Sequence, residues 1–315
     1  MPTTDRMTLR IGHSPDPDDA FMWYPLANFK GPDGQTYRPQ IDTGPYDFVH
    51  VLEDIQSLNE RSERAELEIT ALSIHQYPYV AHEYALTSCG SSMGDGYGPM
   101  LVARQDVPLE KLIAGGGGGR GGRPRIAIPG MRTSAWLAFQ LLLHEHGALK
   151  PGQPLPVDYE VVMFDEIIDR VAAGQFDAGL IIHEGQLTYA ASGLHCVVDL
   201  GKWWKDTRDL PLPLGGNAIR RDLGDRMGEV CAILLASIRH ALEHRQESVD
   251  FSLNWARGMG GELADRFVGM YVNDWTLDYG DRGREAVRRF LGEAKDAGLV
   301  PDRGAIDFVE PATRA

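Results

Sequence analysis

Few side chains in this sequence are suited to moving a proton, and one of them sits where catalytic groups collect. His183 closes the apolar run Ile181-Ile182 and is followed by Glu184 and Gly185. A buried strand ending in an imidazole presents a group that titrates near neutral pH. It can act first as a base and then as an acid. A histidine satisfied by structural hydrogen bonds is the plain alternative. Gln186 and Tyr189 follow on the next turn and could orient the ring or a ligand. Glu184 could polarise the ring, although adjacency in sequence does not establish contact.

Hydroxyls with free backbone amides form a second set. The turn Ser14-Pro15-Asp16-Pro17-Asp18-Asp19 directly follows a predicted strand. Loops at the carboxyl ends of parallel strands are where open sheets bind ligands. Ser14 offers a hydroxyl, and Asp18 or Asp19 can cap the helix that follows. Thr133-Ser134 follows Pro129-Gly130 at a predicted helix start, where hydroxyls and free N–H groups make either an anion site or an ordinary cap. Ser73 ends a short strand with the same two readings. Asp95-Gly96-Tyr97-Gly98-Pro99 reads as a surface turn, with Gly98 a candidate for close approach to a ligand.

Other chemistry is thinly represented. His75 and His82 are seven apart on a candidate helix face, without a third ligand nearby, so no metal site is expected. Cys89, Cys196 and Cys231 are widely spaced, which favours neither a disulfide framework nor a zinc cluster. Cys231 reads as core, and Cys89, among glycines, as a weak candidate nucleophile. The run Gly115–Gly119 lacks the ending and spacing of a phosphate loop and reads as a flexible surface insertion.

The elements that must position these groups alternate strand with helix. Strands are expected at Thr8–His13, Leu67–Leu72, Met100–Arg104, Arg125–Ile128, Val157–Phe164 and Asp177–Ile182. Tyr37–Thr43 and Phe48–Leu52 read as strand or extended pieces. Helices are expected at Ala20–Ala27, at Asp54–Arg64 with Asp54 as cap, from Thr133 or Ser134 to His146, and at Asp165–Ala173 closed by Gly174. Trp203–Leu214 reads as irregular. Long amphipathic helices follow at Leu223–His244, Leu263–Tyr271 and Arg282–Asp296. The rhythm predicts an α/β protein of two lobes. Residues 1–104 and 215–315 form a discontinuous first lobe and 105–214 the second. Two crossings make a hinge, with a ligand cleft between the lobes.

The bulk properties narrow the partners. The chain has 315 residues, of which 43% are hydrophobic and 24% charged, a globular composition. A formal net charge of −14 repels nucleic acid and anionic lipid over long range. No apolar stretch is long enough for a membrane span. The N-terminus lacks an apolar leader, so a cytoplasmic location is expected.

The segments SPDPDDAF (Ser14–Phe21), ITALS (Ile69–Ser73), GDGYGPMLVAR (Gly94–Arg104), IAIPGMRTSA (Ile126–Ala135), FDAGLIIHEGQLTY (Phe176–Tyr189) and LPLPLGG (Leu210–Gly216) resemble the menaquinone-biosynthesis family of the futalosine pathway. The likeness covers nearly the whole chain. It implies a two-lobed fold like type II periplasmic binding proteins, working in the cytoplasm. It also implies a carbon–carbon lyase that acts on cyclic dehypoxanthine futalosine. The Ile-His-Glu segment favours this activity over the family's chorismate dehydratase, and the expected lack of a signal peptide speaks against a non-catalytic binding protein for an aromatic carboxylate. By resemblance His183 is the catalytic histidine, and Ser73, Thr133 and Ser134 line the pocket. The Thr-Ser pair would hold the substrate carboxylate. Ser14, Asp18, Gln186, Tyr189 and Gly98 complete the expected substrate-binding set. Relatives often carry Cys and Asn where this chain has Asp16 and Asp18, and a lysine where it has Ala71. No cofactor and no metal are implied. The expected partner is a small aromatic carboxylate, and the resemblance leaves a homodimer open.

Overall fold

The computed structural model describes residues 6–115, 117–150, 152–256, 260–302 and 304–313. They form two compact units. Unit 1 holds residues 1–93, 215–284 and 303–315, and unit 2 holds 94–214 and 285–302. The chain therefore changes unit at four places, where the sequence predicts two crossings. The cause lies in the last long helix, Gly280–Asp296. Its Phe290 packs edge-on against Trp204 at 5.4 Å, and its Glu293 accepts from Arg208 at 2.8 Å. Those partners belong to unit 2, so residues 285–302 group there rather than with unit 1.

The first part of unit 1 carries β1 (Met7–His13), β2 (Tyr46–Leu52), β3 (Ile69–Ser73), β4 (Tyr84–Thr87) and β5 (Ser92–Gly94). Unit 2 carries β6 (Met100–Ala103), β7 (Arg125–Ile128), β8 (Asp158–Val161), β9 (Ala178–Ile181) and β10 (His195–Asp199). β11 (Leu212–Arg220) and β12 (Phe308–Val309) complete the sheet of unit 1. That sheet runs β12-β4-β11-β3-β1-β2, with β5 on β11, and the sheet of unit 2 runs β10-β6-β9-β7-β8.

Unit 1 builds its core around β1. Leu9 and Ile11 are fully buried with Phe21 and Trp23 from the helix Pro17–Trp23 and with Ile233, Leu234 and Ile238 from the helix Arg226–Glu243. The two helices are also tied by Ser237, which donates to the Met22 carbonyl at 2.7 Å. The first helix starts at Pro17, three residues before the expected start. A proline in the first turn loses only an N–H that has no helical partner there. Asp16 is therefore the N-cap, and Asp18 and Asp19 lie inside the first turn. Glu68 lies between Arg10 and Arg220. Burial raises its pKa, but the hydrogen bonds of Arg10 and the charges of both arginines outweigh this and bring it to about 2.

Unit 2 buries Val102, Ala127, Val162, Ile167, Val171, Phe176 and Ile181 in its own cluster. The helix Ile167–Ala172 sits hard on β9. A Cβ added at Gly179 would lie 2.5 Å from Ile167 and 2.7 Å from Val171. Only a glycine at that position allows this approach.

Of the two readings of Tyr37–Thr43, strand or extended, the strand is not formed, and the region has only an isolated bridge between Lys30 and Thr36. Pro39 cannot donate to a ladder, and pairing on β1 begins only after Pro45. The stretch from Trp203 is not irregular, because a helix runs over Leu200–Arg208. Asp199 caps it by accepting from the Lys202 amide at 2.9 Å, and Trp204 buries its inner face. Gly116 of the glycine run lies outside the described residues. Gly115, Gly118 and Arg120 are exposed and Gly117 and Gly119 half-buried, and Asp177 and Asp158 accept from the amides of Gly118 and Arg120.

Candidate functional site

In unit 2 the sequence-predicted residues gather at one sheet edge. β7 and β9 are parallel, with Ile126 opposite Ala178, and β8 runs parallel on the other side of β7. β6 is antiparallel to β9, so its first residue, Met100, faces Ile181. The last residue of β10, Asp199, faces Met100 in turn. Gly98, Thr133, Ser134 and His183 thus all belong to loops at the carboxyl edge of the parallel strands. The edge selects loops by strand direction, which is how binding loops are grouped in α/β sheets generally.

His183 follows the end of β9 with φ of 53°. This left-handed conformation costs a residue with a Cβ about 1–3 kcal/mol. The next helix, Gly185–Thr188, begins almost at once, and the Gln186 amide donates to the His183 carbonyl at 3.3 Å. The imidazole is half-buried and lies against Phe164, with ring centroids 4.8 Å apart and planes inclined at 59°. Gln186 is buried. Tyr189 is half-buried against the core of the unit. Its phenol is pushed up by burial and then by the nearby Cys196 and Asp199.

Thr133 is the N-cap of the helix Ser134–Glu145, accepting from the Trp136 amide at 3.3 Å and donating to the Gly130 carbonyl at 2.9 Å. Ser134 donates to the Leu214 carbonyl at 2.5 Å. Gly98 packs backbone to backbone on Gly201, and a Cβ at Gly98 would lie 2.9 Å from the Gly201 Cα. Helix packing alone thus accounts for a glycine at position 98.

In unit 1 the candidates also share one edge. β1 and β3 are parallel, with Ile11 opposite Ile69, so Ser14 and Ser73 follow adjacent strand ends. Ser14 is held by two carboxylates. Its amide donates to Asp19 at 2.8 Å, and its hydroxyl donates to Asp16. Burial and the charge of Asp16 raise the Asp19 pKa to about 7, against the lowering effect of the Ser14 amide. Asp18, on the same turn, is buried.

His13 sits just before Ser14, with Nδ1 2.8 Å from the Ser14 carbonyl and Nε2 2.9 Å from His50 Nδ1. A carbonyl only accepts, so Nδ1 of His13 carries the proton and Nε2 accepts from His50. Burial holds both rings neutral. It lowers His13 to about 3, with help from the charge of His50, and His50 to about 4. Ser73 is fixed by Asn59, whose amide group donates to the Ser73 hydroxyl at 3.0 Å and whose carbonyl accepts from the Ser73 amide at 2.9 Å. Gln76 in turn donates to the Asn59 backbone carbonyl at 3.1 Å.

Asn59, His13, Asp19 and Phe164 were not among the predicted site residues. The available signal for Asn59 was a polar residue beside Leu58 on the inner face of the helix Ile55–Ser62. The weaker candidates fall away. Cys89 is buried, and its contact with Cys231 together with burial holds the thiol well above its ordinary value, which leaves no thiolate nucleophile. His75 is buried in a turn, while His82 lies exposed beyond the helix Tyr77–Val80, so the two share no helix face. Among the described residues, no group of three or more His, Cys, Asp or Glu could hold a metal. No described helix is long and apolar enough to cross a membrane.

Comparison with known proteins places the chain in a family. Residues 9–296 match the family model described as menaquinone biosynthesis. The chain is 37% identical to a curated 1,4-dihydroxy-6-naphthoate synthase of Thermus thermophilus, over 93% of this chain and 96% of that protein. Among solved structures, protein AF1704 of Archaeoglobus fulgidus is 36% identical with a TM-score of 0.78, covering 95% of this chain and all of that one. The alkanesulfonate-binding protein of Xanthomonas axonopodis pv. citri is 12% identical with a TM-score of 0.63, over 96% of this chain and 97% of that one. That last likeness is one of fold. The chain has an α/β fold related to type II periplasmic-binding-like proteins.

Proposed function

The chain belongs to the menaquinone-biosynthesis family, and on that premise we propose that it is a 1,4-dihydroxy-6-naphthoate synthase, a carbon–carbon lyase acting on cyclic dehypoxanthine futalosine. The observation that carries this reading is the near full-length likeness to a curated synthase. The position of His183 supports it, because the imidazole ends a buried strand at the edge where α/β sheets bind ligands.

In the proposed reaction His183 takes the proton of a hydroxyl on the sugar-derived ring. The O–H electrons form a carbonyl as the neighbouring carbon–carbon bond breaks. The pair from that bond passes into the unsaturated ring system, which recovers a proton from the imidazolium and becomes aromatic as the three-carbon fragment departs. Thr133 and Ser134 are assigned to the substrate carboxylate, with the first turn of their helix adding favourable backbone amides. Gln186 and Tyr189 are assigned to substrate contact beside His183, and Ser14, Asp18, Ser73 and Gly98 complete the assigned set. The proposed substrate is a small aromatic carboxylate.

The decisive assay incubates the purified protein with cyclic dehypoxanthine futalosine and, separately, with chorismate. Naphthoate product from the first and none from the second is the expected result. Turnover of chorismate instead would transfer the assignment to the dehydratase of the same pathway. Turnover of neither would end the enzymatic reading.

A further inference from the structure

Phe164 is an apolar side chain that the core does not take in. Val162 and Ile167, on either side, are buried in the unit 2 cluster, whereas Phe164 stays half-buried outside it. Its ring meets the His183 imidazole at 4.8 Å. That distance falls within the range of aromatic pairs, which favour inclined geometries over flat stacking.

Both partners of the pair are held from behind. Phe164 opens the 3-10 turn that leads into the helix Ile167–Ala172. That helix is pressed on β9 at Gly179, in the strand that ends just before His183. The backbone that carries Phe164 is thereby tied to the strand that leads to His183. On the other side, the left-handed backbone of His183 interrupts the line of β9 just after its last residue, Ile181. The flanking loops also expose apolar surface, with Met163 51% and Met131 39% accessible.

We infer that Phe164 is a positioning residue for the reaction. Its ring fixes the orientation of the His183 imidazole, so that the nitrogen that exchanges the proton is aimed before the substrate arrives. The inference rests on the role of His183 proposed above.

The test compares Phe164→Leu and Phe164→Tyr with the parent and with His183→Ala, using cyclic dehypoxanthine futalosine as substrate. An aromatic pair of this kind corresponds to a change of roughly threefold to tenfold. Phe164→Leu should therefore lower kcat about that much while KM moves less than twofold. Phe164→Tyr, which keeps the ring, should restore kcat. Thermal melting reports whether either variant is merely misfolded, and the Tyr variant decides the matter if the Leu variant melts early. A parental kcat in Phe164→Leu, or an equal loss in both Phe164 variants, overturns the inference. If His183→Ala turns over normally, the reading of His183 itself is lost. If His183→Ala is inactive and Phe164→Leu is unimpaired, only the inference about Phe164 is lost.

Discussion

The two carboxyl edges are built on different principles. In unit 1 the polar groups answer one another. Ser14 is bound by Asp16 and Asp19, His13 by the Ser14 carbonyl and His50, and Ser73 by Asn59. In unit 2 the edge carries a strained histidine, a half-exposed aromatic ring and accessible methionines. Hydrogen bonding in a polar network stabilises a fold, while strain and exposed apolar area oppose folding, as does the buried Asp19 carboxyl of unit 1 once it is charged. The comparison teaches that chemistry should be sought first where the molecule tolerates a cost, and that the other edge supplies a fixed frame.

The largest expected effect is at His183. Replacement by Ala should lower kcat by about 10²–10⁴, the range for losing a general acid–base group, measured by initial rates. Replacement by Gly should lose the same activity but raise stability by about 1 kcal/mol, because glycine accepts the left-handed backbone freely. A His183→Gly variant that melts earlier than the parent would break the contrast between the edges.

Next comes Asn59. Asn59→Leu leaves the Ser73 amide without its acceptor in a buried position, which should cost about 2–3 kcal/mol in urea unfolding. A smaller loss would mean that the frame in unit 1 is less rigid than its hydrogen bonds imply.

Asp19 should show its effect through pH. Its folded value of about 7 lies above the ordinary 3.8, so its contribution to stability is complete below pH 3.8 and is lost as pH rises through 7. His13 acts in the opposite sense. Its folded value of about 3 lies below the ordinary 6.5, so its contribution is present above pH 6.5 and is lost as pH falls towards 3. Asp19→Asn should match the parent near pH 4 and exceed it by about 1–2 kcal/mol at pH 8.5, read from melting curves. An equal difference at both pH values would show that charge is not the cause.

The smallest effect belongs to Thr133. Thr133→Ala removes the cap of the helix Ser134–Glu145 and should cost about 1 kcal/mol. If Thr133 also binds the substrate carboxylate, KM should rise as well. An unchanged KM would leave Thr133 a cap alone.

Much of this was legible before any coordinates. Period-two and period-3.6 patterns located β1, β3, β9 and the long helices, because local side-chain direction is set within a few residues. Asp54 reads correctly as a cap, since the signal and its target are two to three residues apart. What escaped depends on distant partners. Asn59 matters only because β3 brings Ser73 beside it, and Phe164 only because β9 brings His183. The helix Leu200–Arg208 was hidden by its tryptophans and nearby prolines, and it is fixed by burial of Trp204 against Phe290. The path of the last helix was misread for the same reason, because an amphipathic pattern shows that a face is buried but not against which unit.

That helix has a consequence for how the chain is made. Unit 2 needs residues 285–302, and unit 1 takes residues 303–315. At translation speeds of about 5–20 residues per second, unit 2 has all its parts only once residue 302 has been made, and unit 1 later still. Trp204 in particular must wait on the ribosome for Phe290, 86 positions later, before its surface is covered. Between the making of residue 204 and that of residue 290 the nascent protein therefore carries an uncovered aromatic ring, a target for chaperones that bind apolar segments.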